Sequence, residues 1–238
     1  MRRSCILQQR NAYQWLQIHG TQHSAVHSAV ELYFTAMMHI MKLPIDCELH
    51  VRMVGMSEMR QMHWERKGQD RVTDVLTFPG SGSGTSEIYA ANELLFGDGG
   101  EFDLDDDLQE SQRNFTTVSA RNELLDLGDI YICPKYIKAR CRRFPNRNLK
   151  LPDYAQAAYV HAFLHALGYD HKLEEEFLEM TVCEKWLARN VTRSLERSLS
   201  FEERSTLFGN QWLARNVTRS LERTMSFEER STLFGNLL

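Results

Sequence analysis

Residues His161–His171 read HAFLHALGYDH, and this short stretch holds three histidines. His161 and His165 are four residues apart, so on a helix their imidazoles lie on one face, one turn apart. Gly168 follows them, and glycine readily adopts the left-handed conformation that ends a helix. After that turn His171 can return to the first two imidazoles. We therefore predict a three-histidine metal site with an open fourth position, as in catalytic zinc sites.

The type of ligand leaves the metal open, because imidazole binds zinc, nickel, copper and iron. The spacing H-x3-H-x2-G-x2-H also matches metzincin peptidases, which need a glutamate directly after the first histidine as general base. That position is Ala162 in this chain. Because alanine cannot accept a proton, the sequence argues against peptidase chemistry. Bound zinc could still polarise a phosphoryl or carbonyl oxygen, with the base or charge stabiliser supplied by another residue.

Hydrophobic periodicity divides the rest of the chain into helices and strands. The predicted helices are His23–Leu43, Ser57–Gly68, Asp153–Leu167 and Leu173–Leu199, with a shorter helix and a loop within Lys135–Lys150. The predicted strands are Glu48–Val54, Arg71–Pro79 and Leu127–Cys133. With 238 residues, 42% hydrophobic and 25% charged, the chain suffices for one compact domain with appendages.

Composition also excludes two classes of protein. No apolar run approaches the roughly 20 residues of a transmembrane helix, so we expect no membrane partner. The five cysteines are dispersed and form no CxxC pair. Such a set predicts free thiols in a reducing compartment rather than a disulfide framework.

Charge is segregated along the chain, although the net charge is only −4. Gly80–Asp126 holds eleven acidic residues and two arginines, and it begins with the loop-forming run GSGSG. We interpret residues 80–121 as an acidic surface insertion. Ile130–Leu151, by contrast, holds seven lysines and arginines and no acidic residue. Local charge is therefore more informative about partners than the mean.

The N-terminal segment is basic. The first acidic residue is Glu31, and Arg2, Arg3 and Arg10 precede it, a composition typical of organelle transit peptides. We interpret residues 1–22 as a basic segment and possible transit peptide. This predicts a mitochondrial or other organelle matrix location, with the cytoplasm as the alternative.

The C-terminal segment is a tandem repeat. Residues 186–210 recur as residues 212–236 with two differences, Ser198→Thr224 and Leu199→Met225. We expect a metal-binding domain over residues 23–199, followed by a C-terminal extension over residues 200–238 that completes this helical repeat. The second copy is either a weakly tethered duplicate or a docking surface for a partner.

The histidine stretch resembles the metal-binding signature of the YbeY endoribonuclease family, His-Gly-x-Leu-His-Leu-x-Gly-Tyr-Asp-His. The shared positions are His161, Leu164, His165, Gly168, Tyr169, Asp170 and His171. Ala162 and Ala166 depart from the family's glycine and leucine by small apolar changes that should leave ligation intact. Thr73–Pro79 (TDVLTFP) is similar to the family's Thr-Asp-Val-Leu-Ser-Phe-Pro, and Leu127–Ile130 (LGDI) to its Leu-Gly-Asp-Ile strand.

This resemblance implies an α+β fold, with a small mixed β-sheet flanked by helices and the metal-binding helix and turn alongside. It implies a zinc-dependent, single-strand-specific endoribonuclease in rRNA processing and ribosome maturation, with one Zn2+ per chain. The implied partner is single-stranded rRNA or the pre-ribosomal small subunit. The family has a catalytic arginine a few residues before Thr-Asp-Val-Leu; Arg66 is the nearest match, and Lys67 and Arg71 are alternatives.

Other residues are expected to support this site. Asp129 and Asp170 could orient a liganding imidazole, and for Asp170 a cap or turn role is the alternative. The basic residues expected to follow an RNA backbone are Lys135, Lys138, Arg140, Arg142 and Arg143, with a solvated charged loop as the alternative.

Two functions remain open at this point. The first is a metal-dependent endoribonuclease with Arg66 on the phosphate. The second is a ribosome-assembly factor that keeps the fold and the metal but acts mainly by binding. The acidic insertion and the C-terminal repeat would suit further partners such as ribosome-assembly proteins. The same three histidines can serve either function.

Overall fold

The computed structural model describes residues 16–20, 24–83, 125–143 and 151–199. The strands in these residues are β1 (Leu16–His19), β2 (Cys47–Met53), β3 (Val75–Pro79) and β4 (Leu125–Ile132). The helices are α1 (Ser24–Ile40), α2 (Met56–Lys67), α3 (Pro134–Arg143), α4 (Leu151–Ala166) and α5 (Glu174–Ser198). The chain is therefore an α+β protein, as expected.

The four strands form one mixed sheet in the order β1-β2-β4-β3. Strands β1, β2 and β4 are parallel, and β3 runs antiparallel to β4 along one edge. Gly128 of β4 lies opposite Pro79 of β3 and has a φ of +88°. A Cβ atom at this position would lie 2.1 Å from the carbonyl oxygen of Phe78, so the close β3–β4 approach requires glycine.

Helices cover both faces of the sheet. The larger core joins α1, α4 and α5 to the inner side chains of β2 and β4. A smaller core lies on the other face, where Met59 of α2 packs with Leu76 of β3. Val75 and Leu76 enter different cores because successive side chains of a strand point to opposite faces. Helix α4 is central, with ten of its sixteen residues buried, so it lacks a wide solvent-exposed face.

Every helix and strand predicted within the described residues is present, with ends shifted by a few residues. The strand predicted over Arg71–Pro79 begins only at Val75, whose N–H donates to the Asp74 carboxylate. Strand β1 was missed, and Leu16–His19 had been assigned to the basic segment 1–22. This strand pairs in parallel with Leu49–Arg52 and is too short to show periodicity.

Parts of the predicted appendages lie outside the described residues. These parts are residues 1–15 and 21–22, residues 84–121 of the insertion, and residues 200–238. The first copy of the repeat begins within α5, where it buries Leu187, Ala188, Val191 and Leu195. No helix in the described ranges has the length and hydropathy needed to cross a membrane. The four described cysteines are free thiols, as predicted.

We expect the Leu187→Ala substitution to lower the free energy of unfolding by about 2–5 kcal/mol, because this side chain of α5 is fully buried in the larger core. Leu178→Ala is the matched control, since Leu178 lies on the same helix but is 57% exposed. The control should change the free energy of unfolding by no more than about 0.5 kcal/mol. Urea denaturation measures both values, and equal losses would contradict the packing of α5.

Candidate metal centre

The three predicted histidines lie together at the C-terminal end of α4. The ring centroids of His161 and His165 are 4.6 Å apart, and the His171 centroid lies 5.4 and 5.0 Å from them, respectively. One ligand nitrogen from each ring lies within 4.8 Å of the other two. Among the described residues, this is the one cluster of three His, Cys, Asp or Glu side chains that could hold a metal ion.

Gly168 produces the turn that brings His171 back, as the sequence predicted. Its φ of +99° is a conformation that other residues rarely adopt. The Gly168 N–H donates to the His165 carbonyl and the Tyr169 N–H donates to the Leu164 carbonyl, each over 3.0 Å. These two bonds form a Schellman motif, which ends the helix and satisfies its last carbonyl groups.

Hydrogen bonds at the outer nitrogens determine two of the imidazole tautomers. His165 Nδ1 lies 2.8 Å from the Tyr169 carbonyl oxygen, which can only accept, so Nδ1 carries the hydrogen. His161 Nδ1 lies 2.7 Å from Oε1 of Glu184, and an ionised carboxylate also only accepts. Both rings therefore direct Nε2 toward the cluster, and these two atoms are 3.2 Å apart. When both rings are neutral, two facing lone pairs at this distance favour a cation beside them.

His171 supplies the third nitrogen. Its Nε2 atom is buried and has no hydrogen-bond partner among the described residues. Buried polar atoms nearly always have a partner, and a metal ion would provide one here. Three inward-facing imidazole nitrogens also match the donor set of three-histidine zinc sites. The residues present therefore fit a divalent metal ion.

Burial keeps two of the three imidazoles in the form that binds metal. Burial lowers the pKa of His165 to about 3, and the neighbouring imidazoles of His161 and His171 act in the same direction. Burial also lowers the pKa of His171, with a further contribution from His161. Only the neutral imidazole can ligate a metal. These two rings therefore need not lose a proton before they bind an ion at neutral pH.

Glu184 is a site residue that the sequence analysis missed. It lies on α5 between the buried residues Cys183 and Leu187, and four residues after the buried Met180. Carboxylates are seldom placed among the buried residues of an amphipathic helix unless they have a partner. That position was the available signal in the sequence, but nothing there indicated that the partner would be His161.

Neither predicted aspartate hydrogen-bonds to an imidazole of the cluster in the described residues. Asp170 accepts the backbone N–H of His171 over 2.8 Å and pairs with Lys172 Nζ at 2.6 Å, so it has the alternative role of a turn residue. Asp129 alternates with the core residue Ile130 on β4 and lies 3.4 Å from Arg52 Nε. It therefore points to the opposite face of the sheet from α4. Glu184 and the Tyr169 carbonyl hold the imidazoles instead.

Arg66 lies exposed at the C-terminal end of α2, with its guanidinium 5.2 Å from the centroid of the Phe78 ring. Phe78 belongs to the edge strand β3. The hydroxyl of the neighbouring Thr77 donates to the Ala162 carbonyl of α4 over 3.1 Å. Strand β3 thus connects the helix that carries Arg66 with the helix that carries two of the histidines. Of the two alternatives, Lys67 is exposed, whereas Arg71 donates to Gln69 Oε1 over 3.0 Å.

Helix α3 carries all five basic residues that were expected to contact RNA. Four are exposed: Lys135, Lys138, Arg142 and Arg143. Arg140 is half-buried, with its guanidinium 5.9 Å from the centroid of the Tyr154 ring and its Nη1 3.4 Å from the Tyr136 hydroxyl. The exposed four can meet a ligand, whereas Arg140 packs against the domain.

Asp74 of the TDVLTFP motif has a structural role. It is 2% exposed, and its carboxylate accepts hydrogen bonds from the Tyr154 hydroxyl, the Thr73 hydroxyl and the Val75 N–H. Burial raises the pKa of Tyr154, with the Asp74 carboxylate contributing, so the tyrosine remains a neutral donor. This network joins the start of β3 to the first turn of α4.

Comparisons with known proteins cover most of the chain. A family model described as "Endoribonuclease YbeY" matches residues 9–192. An "Endoribonuclease YbeY" of Clostridium perfringens is 30% identical over 154 residues, which are 64% of this chain and 80% of that protein. One of Lachnospira eligens is 27% identical over 135 residues, 57% of this chain and 70% of that protein. A solution structure from Thermotoga maritima aligns with 78% of this chain and 97% of its own, at 22% identity and a TM-score of 0.43.

We expect the metal-free protein to lose stability as the pH falls below about 6.5, the ordinary pKa of histidine. Between there and pH 3 the unfolded chain protonates His165 and the folded chain does not. This difference of one bound proton lowers the free energy of unfolding by about 1.4 kcal/mol for each pH unit. Urea unfolding with a chelator at about pH 7.5 and about pH 5.5 measures this loss, which should be smaller in His165→Gln. An equal loss in that variant would contradict the lowered pKa of His165.

Proposed function

The chain belongs to the YbeY endoribonuclease family, whose members are hydrolases acting on RNA, and on this premise we propose a zinc-dependent, single-strand-specific endoribonuclease that acts in rRNA processing and ribosome maturation. The observation that carries the proposal is the histidine cluster. His161 and His165 hold their Nδ1 atoms in hydrogen bonds and direct Nε2 toward it, and His171 contributes a buried nitrogen without a partner in the described residues. Strand β3 links this cluster to an exposed arginine.

One Zn2+ per chain is the proposed cofactor, held by His161, His165 and His171. The donor set supports this choice, because three neutral imidazoles with an open fourth position are typical of catalytic zinc. When bound, the ion would supply a Lewis acid that polarises a phosphoryl oxygen and makes water more acidic. The chain's own contribution is to keep His165 and His171 neutral and to orient His161 and His165 before the ion arrives.

Arg66 is the proposed catalytic residue. A guanidinium stays charged at all physiological pH values, and its paired donors match phosphate oxygens, where negative charge grows during hydrolysis. The ring of Phe78 beside it supports the guanidinium by a cation–π contact. Arg71 is less suitable because its guanidinium already donates to Gln69. Lys67 is exposed but lacks the planar pair of donors.

The exposed basic face of α3, formed by Lys135, Lys138, Arg142 and Arg143, is the proposed surface for the RNA backbone. Helix α3 packs against α4, so RNA bound to this face would lie beside the helix that carries two of the proposed ligands. Lysine and arginine contacts to phosphates provide affinity without sequence preference. These contacts suit a nucleic-acid backbone, and family membership makes single-stranded rRNA or the pre-ribosomal small subunit the proposed partner.

A ribosome-assembly factor with a structural metal is the second candidate. One observation favours it: the family match ends at residue 192, so the second copy of the repeat, residues 212–236, lies beyond the family's extent. This copy and the acidic insertion at 80–121 are the proposed contacts for ribosome-assembly proteins. The proposed organelle location rests on the composition of residues 1–22 and stays a prediction.

Zinc-loaded protein is expected to cut a single-stranded rRNA fragment and to leave a duplex intact. His165→Gln should abolish cleavage, and Arg66→Ala should lower kcat by about 10²–10³-fold by removing a donor to the phosphate. Arg60→Ala is the matched control, because Arg60 is an exposed arginine on the same helix that pairs with Asp70. Cleavage that survives in His165→Gln would eliminate metal catalysis. Tight binding to pre-ribosomes without cleavage would favour the assembly factor.

Removal of two charges from α3 is expected to weaken single-stranded RNA binding. The double variant combines Lys138→Ala with Arg142→Ala in a His165→Gln background, so that the RNA stays intact. The slope of the logarithm of the binding constant against the logarithm of the salt concentration should become shallower by about 0.7 for each phosphate that is no longer neutralised. Lys185→Ala with Arg193→Ala removes the same charges from the exposed face of α5 and serves as control. Fluorescence anisotropy at several salt concentrations measures the slopes. Identical slopes for both pairs would contradict the α3 surface.

A further inference from the structure

We propose that Glu184 is a positioning residue for the metal ligand His161, so that helix α5 sets the metal affinity of a site whose three ligands all lie outside it. This inference rests on the proposed zinc site. It adds a fourth residue, thirteen positions beyond His171, whose side chain touches a ligand and not the metal position.

The contact between Glu184 and His161 is short and shielded. Glu184 Oε1 lies 2.7 Å from His161 Nδ1, a distance typical of a charge-assisted hydrogen bond. The His161 side chain is 3% exposed and that of Glu184 is 18% exposed, so water competes weakly for either group. The carboxylate keeps the hydrogen on Nδ1 and leaves the Nε2 lone pair for a metal.

The position of Glu184 is set by the packing of α5. Its neighbour Cys183 is buried in the larger core, and so is Leu187 one turn further on. These residues dock α5 against α1 and α4 and bring the carboxylate to the imidazole. A carboxylate in this setting loses part of its hydration, and the imidazole N–H compensates for that loss.

Charge gives Glu184 a second effect on the site. Three neutral imidazoles leave the two positive charges of a bound zinc ion uncompensated. A carboxylate one imidazole away from the ion offsets one of these charges in a poorly hydrated environment, where charges interact strongly. It also makes the intervening imidazole a better electron donor. His165 has no such aid, because a neutral backbone carbonyl, that of Tyr169, holds its Nδ1.

A purely structural role for Glu184, in tying α5 to α4, makes a different prediction. Loss of the hydrogen bond would then lower the stability of the metal-free protein and leave the affinity of the folded protein for metal unchanged. Metal affinity measured on folded protein therefore separates a positioning role from a structural one.

The test is competition for Zn2+ between the full-length, metal-stripped chain and a chromophoric chelator. Glu184→Ala removes the acceptor and the charge, and we expect it to weaken Zn2+ binding by about 10–100-fold. Glu184→Gln keeps an acceptor oxygen but not the charge, so its loss should be smaller. Glu179→Gln is the matched control, an exposed glutamate on the same helix, and should bind as the unaltered protein does. The absorption spectrum of bound Co2+ should change in Glu184→Ala and stay the same in the control.

The outcomes separate the inference from its premise. If the unaltered protein binds no Zn2+, or if His165→Gln binds it equally well, the proposed zinc site is overturned. If the unaltered protein binds Zn2+ and the Glu184 variants bind it equally well, only the positioning role is overturned. Thermal unfolding of the metal-free variants shows whether each one folds. Should Glu184→Ala not fold, the affinity of Glu184→Gln, which preserves side-chain size, decides the question.

Discussion

Enclosure of helix α4 by the rest of the domain is the constraint on which the site depends. Because the helix is buried on most of its surface, its polar side chains must find partners inside the protein. These partners come from the start of β3 and from α5. Tyr154 donates to Asp74 before β3, Gln156 donates to the Ala188 carbonyl of α5, and His161 bonds to Glu184. The polar groups of α4 thus tie the sheet and α5 to one helix.

The same constraint explains why the imidazoles suit a metal ion. A buried imidazole loses hydration, which lowers the pKa of His165 and His171 and keeps both rings neutral. Hydrogen-bond partners occupy the outer nitrogens of His161 and His165, so their inner Nε2 atoms face each other over 3.2 Å. A cation is the partner that such an arrangement lacks. The chemistry of the site therefore follows from the burial of the imidazoles and from hydrogen-bond acceptors that lie at the outer nitrogens of His161 and His165.

The fold was largely predictable from the chain, and the surroundings of the site were less so. In the part of the chain that the structure describes, periodicity indicated all five helices and three of the four strands, and missed the four-residue β1. The order of the strands and the antiparallel direction of β3 depend on packing between distant segments. Asp129 was expected to be able to orient a liganding imidazole. Strand alternation instead places it on the face away from α4, beside Arg52.

The sequence by itself determined the histidine cluster, because its three members lie within eleven residues and only helix geometry and one glycine bring them together. Contacts over so short a separation depend on local backbone conformation, which residue spacing reports directly. Tertiary structure alone decided that Glu184 holds His161 and that Arg66 lies over Phe78. These pairs join segments that are remote in sequence, and only the burial of apolar surface between helices and sheet brings them into contact.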